Sequence, residues 1–180
     1  MPTRVLSLDI SASSTGWSFF PGKNNEIIFG LITTSPKCSR AERLVIYKRA
    51  LGDLIIKLKP THIVMEDIFS GLNAKTIALL AKFAGVTEEY CLSEFRIEPY
   101  VIHTNTVKSY FKVKTKEQLF WFVADLLEWQ EFNFKRDNDM VDAISQLLVY
   151  YDKVLNIKKF REEKDYGYLY DIGVNNEQKH

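Results

Sequence analysis

Hydrophobic positions along the chain switch repeatedly between a period of two and a period near 3.6. Residues 4–10, RVLSLDI, form an apolar run that ends on a carboxylate and reads as a strand. The small turn formers SASSTG follow, and WSFFPG and EIIFGLITT read as the next two strands, joined through PGKNN. From Ser39 the spacing changes. Leu44, Tyr47, Leu51, Leu54, Ile55 and Leu58 recur at three and four, which predicts a helix that Pro60 ends. THIVME at 61–66 is a short β-branched strand, again closing on a carboxylate. Residues 73–93 return to helical spacing through Ile77, Leu80, Ala81 and Ala84, with Gly85 weakening the middle. IEPYVIH reads as a fifth strand. A lysine-bearing segment, TNTVKSYFKVKTK, leads to Thr115, a helix N-cap with Leu119, Phe122, Val123 and Leu126 beyond it. A last helix is predicted to open near Asn138, with Met140, Val141, Ile144, Leu147, Leu148 and Tyr151 as its apolar face.

This order gives an α/β fold with one central five-stranded mixed sheet flanked by helices, for which an RNase H-like (polynucleotidyl transferase) sheet is the natural candidate. The 180 residues suggest one domain over 1–155 and a polar, mixed-charge extension over 156–180. Apolar residues make up 46%, enough for a packed core. Lys plus Arg is 24 against 23 for Asp plus Glu, a net charge of +1, which argues against a polycation. A basic stripe beside an acidic pocket sums to the same balance and keeps nucleic acid open as a partner. Cys38 and Cys91 form no CxxC, and His62, His103 and His180 are scattered, so neither a zinc site nor a disulfide framework is expected. The start lacks the apolar region of a signal peptide, and the greasy stretch 119–129 is broken by Asp125 and too short to span a bilayer. The expectation is a soluble cytoplasmic protein with no membrane partner.

The carboxylates carry the candidate chemistry. Asp9 and Glu66 each close an apolar strand, and Asp139 and Asp142 lie three apart at the start of the last helix, on one face. Each has an ordinary explanation: a turn cap for Asp9, a strand-end charge for Glu66, and first-turn acids favoured by the helix dipole for the other two. Together they suggest more, because sites in open α/β sheets gather at the carboxyl ends of strands. Converging carboxylates repel, at on the order of 4 kcal/mol for a pair ~4 Å apart at an effective dielectric of 20. Cations relieve that cost. All-oxygen donors suit Mg²⁺ or Mn²⁺, and two such ions ~3.5–4 Å apart activate water and stabilise the leaving oxygen of a phosphodiester.

Three motifs make the chain resemble the RuvC family of Holliday junction resolvases, in a phage-type form. Asp9 to Thr15-Gly16 is similar to the family's Asp-x-x-x-x-x-Thr-Gly signature. Met65-Glu66-Asp67-Ile68-Phe69 with Asn73-Ala74 is similar to its Glu-x-x-Phe stretch and helix start, and Asp139-Met-Val-Asp142-Ala143 to its terminal acid-x-x-Asp-Ala. The first motif alone also occurs in sugar-kinase and actin-like ATPases, but this chain lacks their second lobe. The resemblance covers residues 4–152 and implies an RNase H-like fold, a homodimer, and Mg²⁺-dependent paired nicking of four-way DNA junctions that leaves 5′-phosphate and 3′-hydroxyl ends. It assigns Asp9, Glu66, Asp139 and Asp142 as ligands of two Mg²⁺ per site, with Mn²⁺ able to substitute, and Asp9 as the bridge between them. Ile10-Ser11 stands where many cellular members have Pro-Gly, which puts the shape of that loop in question but not the acid.

Lys108, Lys112, Lys114 and Lys116 fall within nine residues. Beyond a solvated loop, they offer phosphate contacts to DNA, and Lys108 and Lys116 lie near positions where RuvC-like enzymes carry functional lysines. Lys37, Arg40, Arg43, Lys48 and Arg49 form a second basic group with weaker claims on phosphate. The resemblance makes Phe69 a ring that wedges against bases at the junction centre, and the 73–93 helix a dimer contact. Two alternatives stay open: a broader RNase H-like nuclease on flaps, forks or RNA, and a non-catalytic junction-binding protein. The sequence names no branch-migration partner.

Overall fold

An antiparallel meander opens the fold, with β1 (Val5–Asp9), β2 (Ser14–Phe20) and β3 (Ile27–Thr33) pairing in sequence. Thr and Trp in a chain that alternates between two buried faces favour strand, so β2 begins inside the cluster of small residues expected to turn. β4 (His62–Glu66) crosses back to lie parallel to β1, and β5 (Tyr100–Ile102) lies parallel to β4. The computed structural model describes residues 3–22, 27–68, 73–128, 131–157 and 174–176. The five expected strands stand in the order β5-β4-β1-β2-β3. A short sixth, β6 (Val174–Asn176), pairs parallel on the β3 edge, from within the segment read as an extension.

Two cores sandwich the sheet, and strand periodicity decides which side each residue joins. Leu6 and Leu8 of β1, with Ile63 and Met65 of β4, pack against α1 (Arg40–Leu58) and α2 (Ala74–Phe95). Val5 and Val64 face the other way, into a core with α3 (Thr104–Phe111), α4 (Lys116–Leu126) and α5 (Phe134–Val149). Asp9 shares the parity of Val5, and Glu66 that of Val64. The register pairs Leu8 with Met65, so one step further both carboxylates reach the same strand ends on the α5 side.

The helices begin where caps allow. Ser39 and Glu42 form a capping box for α1, Asn73 caps α2 by accepting from the Thr76 N–H at 3.0 Å, and Thr115 and Gln118 box α4. α1 ends with Lys59 in the left-handed region at φ 51°, just before Pro60. Tyr47 and Thr87 share a buried 2.7 Å hydrogen bond that ties α1 to α2.

Two helices depart from the expectation. α3 forms where only a lysine-bearing segment was apparent: it is two turns long and buries only Val107 and Phe111, too few positions to establish a period. α5 opens at Phe134 rather than near Asn138. The Asn133 side chain accepts from the Lys135 N–H at 3.0 Å, and the Asp137 carboxylate returns to the Asn133 N–H at 2.9 Å. Asp139 and Asp142 therefore occupy the second and third turns, not the first, and the dipole account of them fails. Beyond α5 the helix widens into a π turn over Tyr150–Val154, with Tyr150, Tyr151 and Asp152 buried. Among the described residues no helix is long and apolar enough to cross a membrane.

Candidate active site

The Asp-x-x-x-x-x-Thr-Gly segment folds as a braced turn. The Thr15 hydroxyl donates to the Ser11 carbonyl at 2.9 Å and accepts from the Ser11 N–H at 3.2 Å, closing the turn from Ser11 to Thr15 that follows Asp9. Ala12 O accepts from the Thr34 hydroxyl at 2.5 Å, and the Arg43 guanidinium donates to Ala12 O and to the Ser13 hydroxyl. Arg43 thus holds the chain's own loop, and Lys48 lies 3.7 Å from Glu89 with its ammonium 4.4 Å from the Tyr90 ring centre, so these two of the five residues in the second basic group are engaged internally.

Gly16 then lets α5 settle directly on β2. A Cβ built there would stand 2.0 Å from the Asp139 carbonyl oxygen and 2.8 Å from the Met140 nitrogen. A polar seam continues the contact: the Ser18 hydroxyl donates to Ala143 O at 2.9 Å, and Ser7 to Gln146 Oε1 at 3.3 Å. The stripe Asp139-Asp142-Ala143-Gln146 faces the sheet as a result.

This docking brings the four acids together. Asp9 and Asp142 are buried, with 8% and 9% exposure, while Asp139 and Glu66 are half-buried. Burial pushes the Asp9 carboxyl well above the ordinary range, and the charges of Asp142 and Glu66 push it further. Burial likewise raises Asp142 to about 6, against the pull of Lys116 and with Glu66 and Asp139 adding to the rise. Asp139 is raised by burial and partly relieved by Lys116 and by a hydrogen bond from Ser14.

Lys116 is the lysine that reaches the cluster. Its Nζ lies 2.5 Å from Asp142 Oδ2 and 4.0 Å from Asp139 Oδ1. It is the first residue of α4, where the helix dipole disfavours a cation, so the acids and not the helix account for its placement. Burial alone would lower its pKa, but Asp142 and Asp9 more than reverse this and hold it up. Lys108 lies on α3, half-buried, whereas Lys112 and Lys114 are exposed at the α3–α4 junction. Phe69 lies outside the described residues, as do residues 23–25 of the PGKNN connection and residue 26 at the start of EIIFGLITT.

Two contacts had no signal in the sequence. The Thr104 hydroxyl donates to Glu66 Oε1, and His103 Nδ1 lies 2.9 Å from Asp67 Oδ2. Both join the end of β4 to the start of α3, a helix that the hydrophobic pattern did not announce.

Oxygen donors with raised affinity for protons suit a hard divalent cation, so the donor chemistry fits the metal that the cluster implies. The donors are not yet arranged as a shell: among the described residues, no group of three or more already stands ready to hold one ion. The Lys116 ammonium supplies the positive charge beside Asp142.

Residues 5–149 match the family described as Crossover junction endodeoxyribonuclease RuvC. A protein of that name from Caldanaerobacter subterraneus is 30% identical over 87 residues, covering 47% of this chain and 53% of the relative. Another, from Finegoldia magna, is 25% identical over 150 residues, covering 81% of this chain and 90% of the relative. In fold, the chain is similar to Thermus thermophilus RuvC in complex with Holliday junction substrate, with a TM-score of 0.70 at 15% identity over 86% of this chain and 97% of that one. The RNase H-like sheet expected from the element order is the one present. The chain belongs to the RuvC family of crossover junction endodeoxyribonucleases.

Proposed function

We propose that this protein resolves Holliday junctions as a metal-dependent, structure-selective endodeoxyribonuclease, cutting two symmetric strands and leaving 5′-phosphate and 3′-hydroxyl ends. The observation that carries the reading is the meeting of Asp9, Glu66, Asp139 and Asp142 at the carboxyl ends of β1 and β4, in a chain of this family. Asp9, Glu66, Asp139 and Asp142 would hold two Mg²⁺, with Asp9, the last residue of β1, serving both. The bound ions, for which Mn²⁺ substitutes, supply an activated water and a Lewis acid at the scissile phosphate.

The chain's own groups do the rest. Burial of Asp9 and Asp142 keeps competing water from their oxygens. Lys116 offsets the negative charge that develops on the phosphate oxygens, and Lys108 stands on the neighbouring helix to hold the DNA backbone. Lys112 and Lys114, both exposed, extend phosphate contacts along an arm. Phe69 follows Glu66 closely and opens the crossover by wedging against bases. α2 supports a two-fold homodimer: Ala78, Ala81, Gly85 and Leu92 lie exposed along it, and a Cβ at Gly85 would meet nothing within 4 Å. A two-fold dimer places two sites on symmetric strands of a two-fold junction.

Labelled four-way, Y-shaped and linear DNA, with and without Mg²⁺, test the reading. The expected result is paired Mg²⁺-dependent nicks in the four-way junction. Equal cutting of Y-shaped DNA makes the protein a broader branched-DNA nuclease, and binding without nicks makes it a non-catalytic junction protein. Phe69→Ala is expected to slow cutting of intact junctions more than of pre-opened ones, and equal losses on both end the wedge idea.

A further inference from the structure

Glu66 is the last residue of β4, and its side chain is reached from the segment that follows β5. Three links stitch these two chain ends together. The Asp67 N–H donates to the Ile102 carbonyl at 2.9 Å, extending the parallel ladder by one step. The Asp67 carboxylate meets His103 Nδ1 at 2.9 Å. The Thr104 hydroxyl donates to Glu66 Oε1. The first two involve the neighbour of Glu66 and fix the backbone. The third is the one that touches the Glu66 carboxylate itself.

A half-buried glutamate on a strand end has freedom about three side-chain bonds, and here it lies against another acid, Asp9, which shares a hydrogen bond with it while one of the two is protonated and repels it once both are ionised, as cation binding requires. Without a restraint the cheapest response is to rotate away toward water. A hydroxyl that donates to Oε1 opposes that rotation. It also engages only one of the roughly four lone-pair positions of a carboxylate, leaving the others for a cation. Thr suits the task better than a long polar side chain, because its branched Cβ leaves few rotamers at a helix start. Thr104 is also the first residue of α3, so the same bond sets the position of the helix that carries Lys108 one turn later, at i+4 on the same face.

We propose that Thr104 is a positioning residue for Glu66: its hydroxyl holds the carboxylate in the acid cluster, ready to ligate a divalent cation. The inference rests on the reading of Glu66 as a metal ligand. It needs no change in the backbone, because the Asp67–Ile102 and Asp67–His103 links remain when the hydroxyl is removed.

Thr104→Val keeps the shape and deletes the donor, and Thr104→Ser restores a donor. Mn²⁺ titrated calorimetrically into the metal-free full chain, without DNA, is expected to bind Thr104→Val about tenfold more weakly than wild type, the lower range for loss of a partner that orients a metal ligand. Thr104→Ser is expected to recover most of that loss. The metal-free melting temperatures of the three proteins should agree, which a merely structural role of the side chain would not give. In nicking assays the metal concentration for half-maximal rate should rise by the same factor, with a smaller change at saturating metal. Wild-type Mn²⁺ affinity in Thr104→Val, or failure of Thr104→Ser to recover, overturns the proposal. If wild type binds Mn²⁺ but cuts no junction, the proposed reaction fails while the calorimetric difference still decides the role of Thr104. If wild type binds no Mn²⁺, both fail.

Discussion

Gly16 and the Asp139 carbonyl are in direct backbone contact: a Cβ at Gly16 would lie 2.0 Å from that oxygen. This packing sets how deeply α5 sits on the sheet, and so whether Asp139 and Asp142 reach Asp9. Its tightness gives the Gly of the Thr-Gly signature a packing role, since Thr15 ahead of it closes the turn and Gly16 admits the helix.

Gly16→Ala should therefore cost stability and the site together. The obstacle is backbone rather than a flexible side chain, so α5 must lift. The expected loss is about 3 kcal/mol, the upper part of the range for overpacking, or a melting temperature lower by roughly 10 °C in a chain of this size. Thermal melting checks the first part and junction nicking the second. A variant with wild-type melting and nicking would show that α5 does not need this approach.

Asp9→Asn removes the most strongly burdened charge of the cluster. In metal-free buffer the variant should melt a few degrees higher than wild type, because repulsion from Asp142 and Glu66 is relieved. Mg²⁺ should then raise its melting temperature less than it raises that of wild type, since a ligand stabilises in proportion to its occupancy. Nicking should fall to background. Wild-type cleavage by Asp9→Asn would remove the site assignment.

Lys116→Met tests the opposite charge. The Lys116 side chain is 46% exposed, so screening limits its worth, and the expected loss in metal-free stability is about 1 kcal/mol. Mg²⁺ should recover that loss by neutralising the same acids, while nicking stays depressed because charge on the phosphate oxygens is no longer offset. Melting curves with and without Mg²⁺ decide the matter: an Mg²⁺-induced rise no larger than in wild type would show that Lys116 does not balance the cluster.

The pH dependence follows from the raised carboxyls. Asp9 and Asp142 hold protons more tightly in the folded chain than in the unfolded one. Between the ordinary carboxylate value of 3.8 and the value of about 6 for Asp142, the folded state carries the extra proton, so this group adds stability as pH falls through that window. Mg²⁺ affinity should run the other way and weaken below about pH 6, because protons and metal compete for the same oxygens. Asp142→Asn provides the comparison in melting experiments from pH 7 to pH 4: a metal-free slope equal to that of wild type would contradict the raised carboxyl.

Much of this was legible in the residues. Asp9 and Glu66 were each legible as the carboxylate that closes an apolar strand, whereas their sharing one face follows from the parallel register of β1 and β4. Three-residue spacing placed Asp139 and Asp142 on one side of a helix wherever that helix begins, and the later error in its start left this pairing intact. The two-turn α3 was not legible, because a helix that buries Val107 and Phe111 alone makes no periodic record. With α3 unseen, Thr104 and His103 had no reason to stand near Glu66 and Asp67. Nor could the basic residues be sorted: Lys116 and Lys114 are two apart, alike in composition and both exposed, yet it is Lys116 that lies against Asp142.

Local order, then, determined the strands, most helices and the four acids, because periodicity and caps act over a few residues and need no partner. The depth of α5 on β2, the choice of Lys116 as counter-charge and the bond from Thr104 to Glu66 were decided only in three dimensions. Each joins groups that are far apart along the chain, and contact between them depends on the fit of one backbone surface against another.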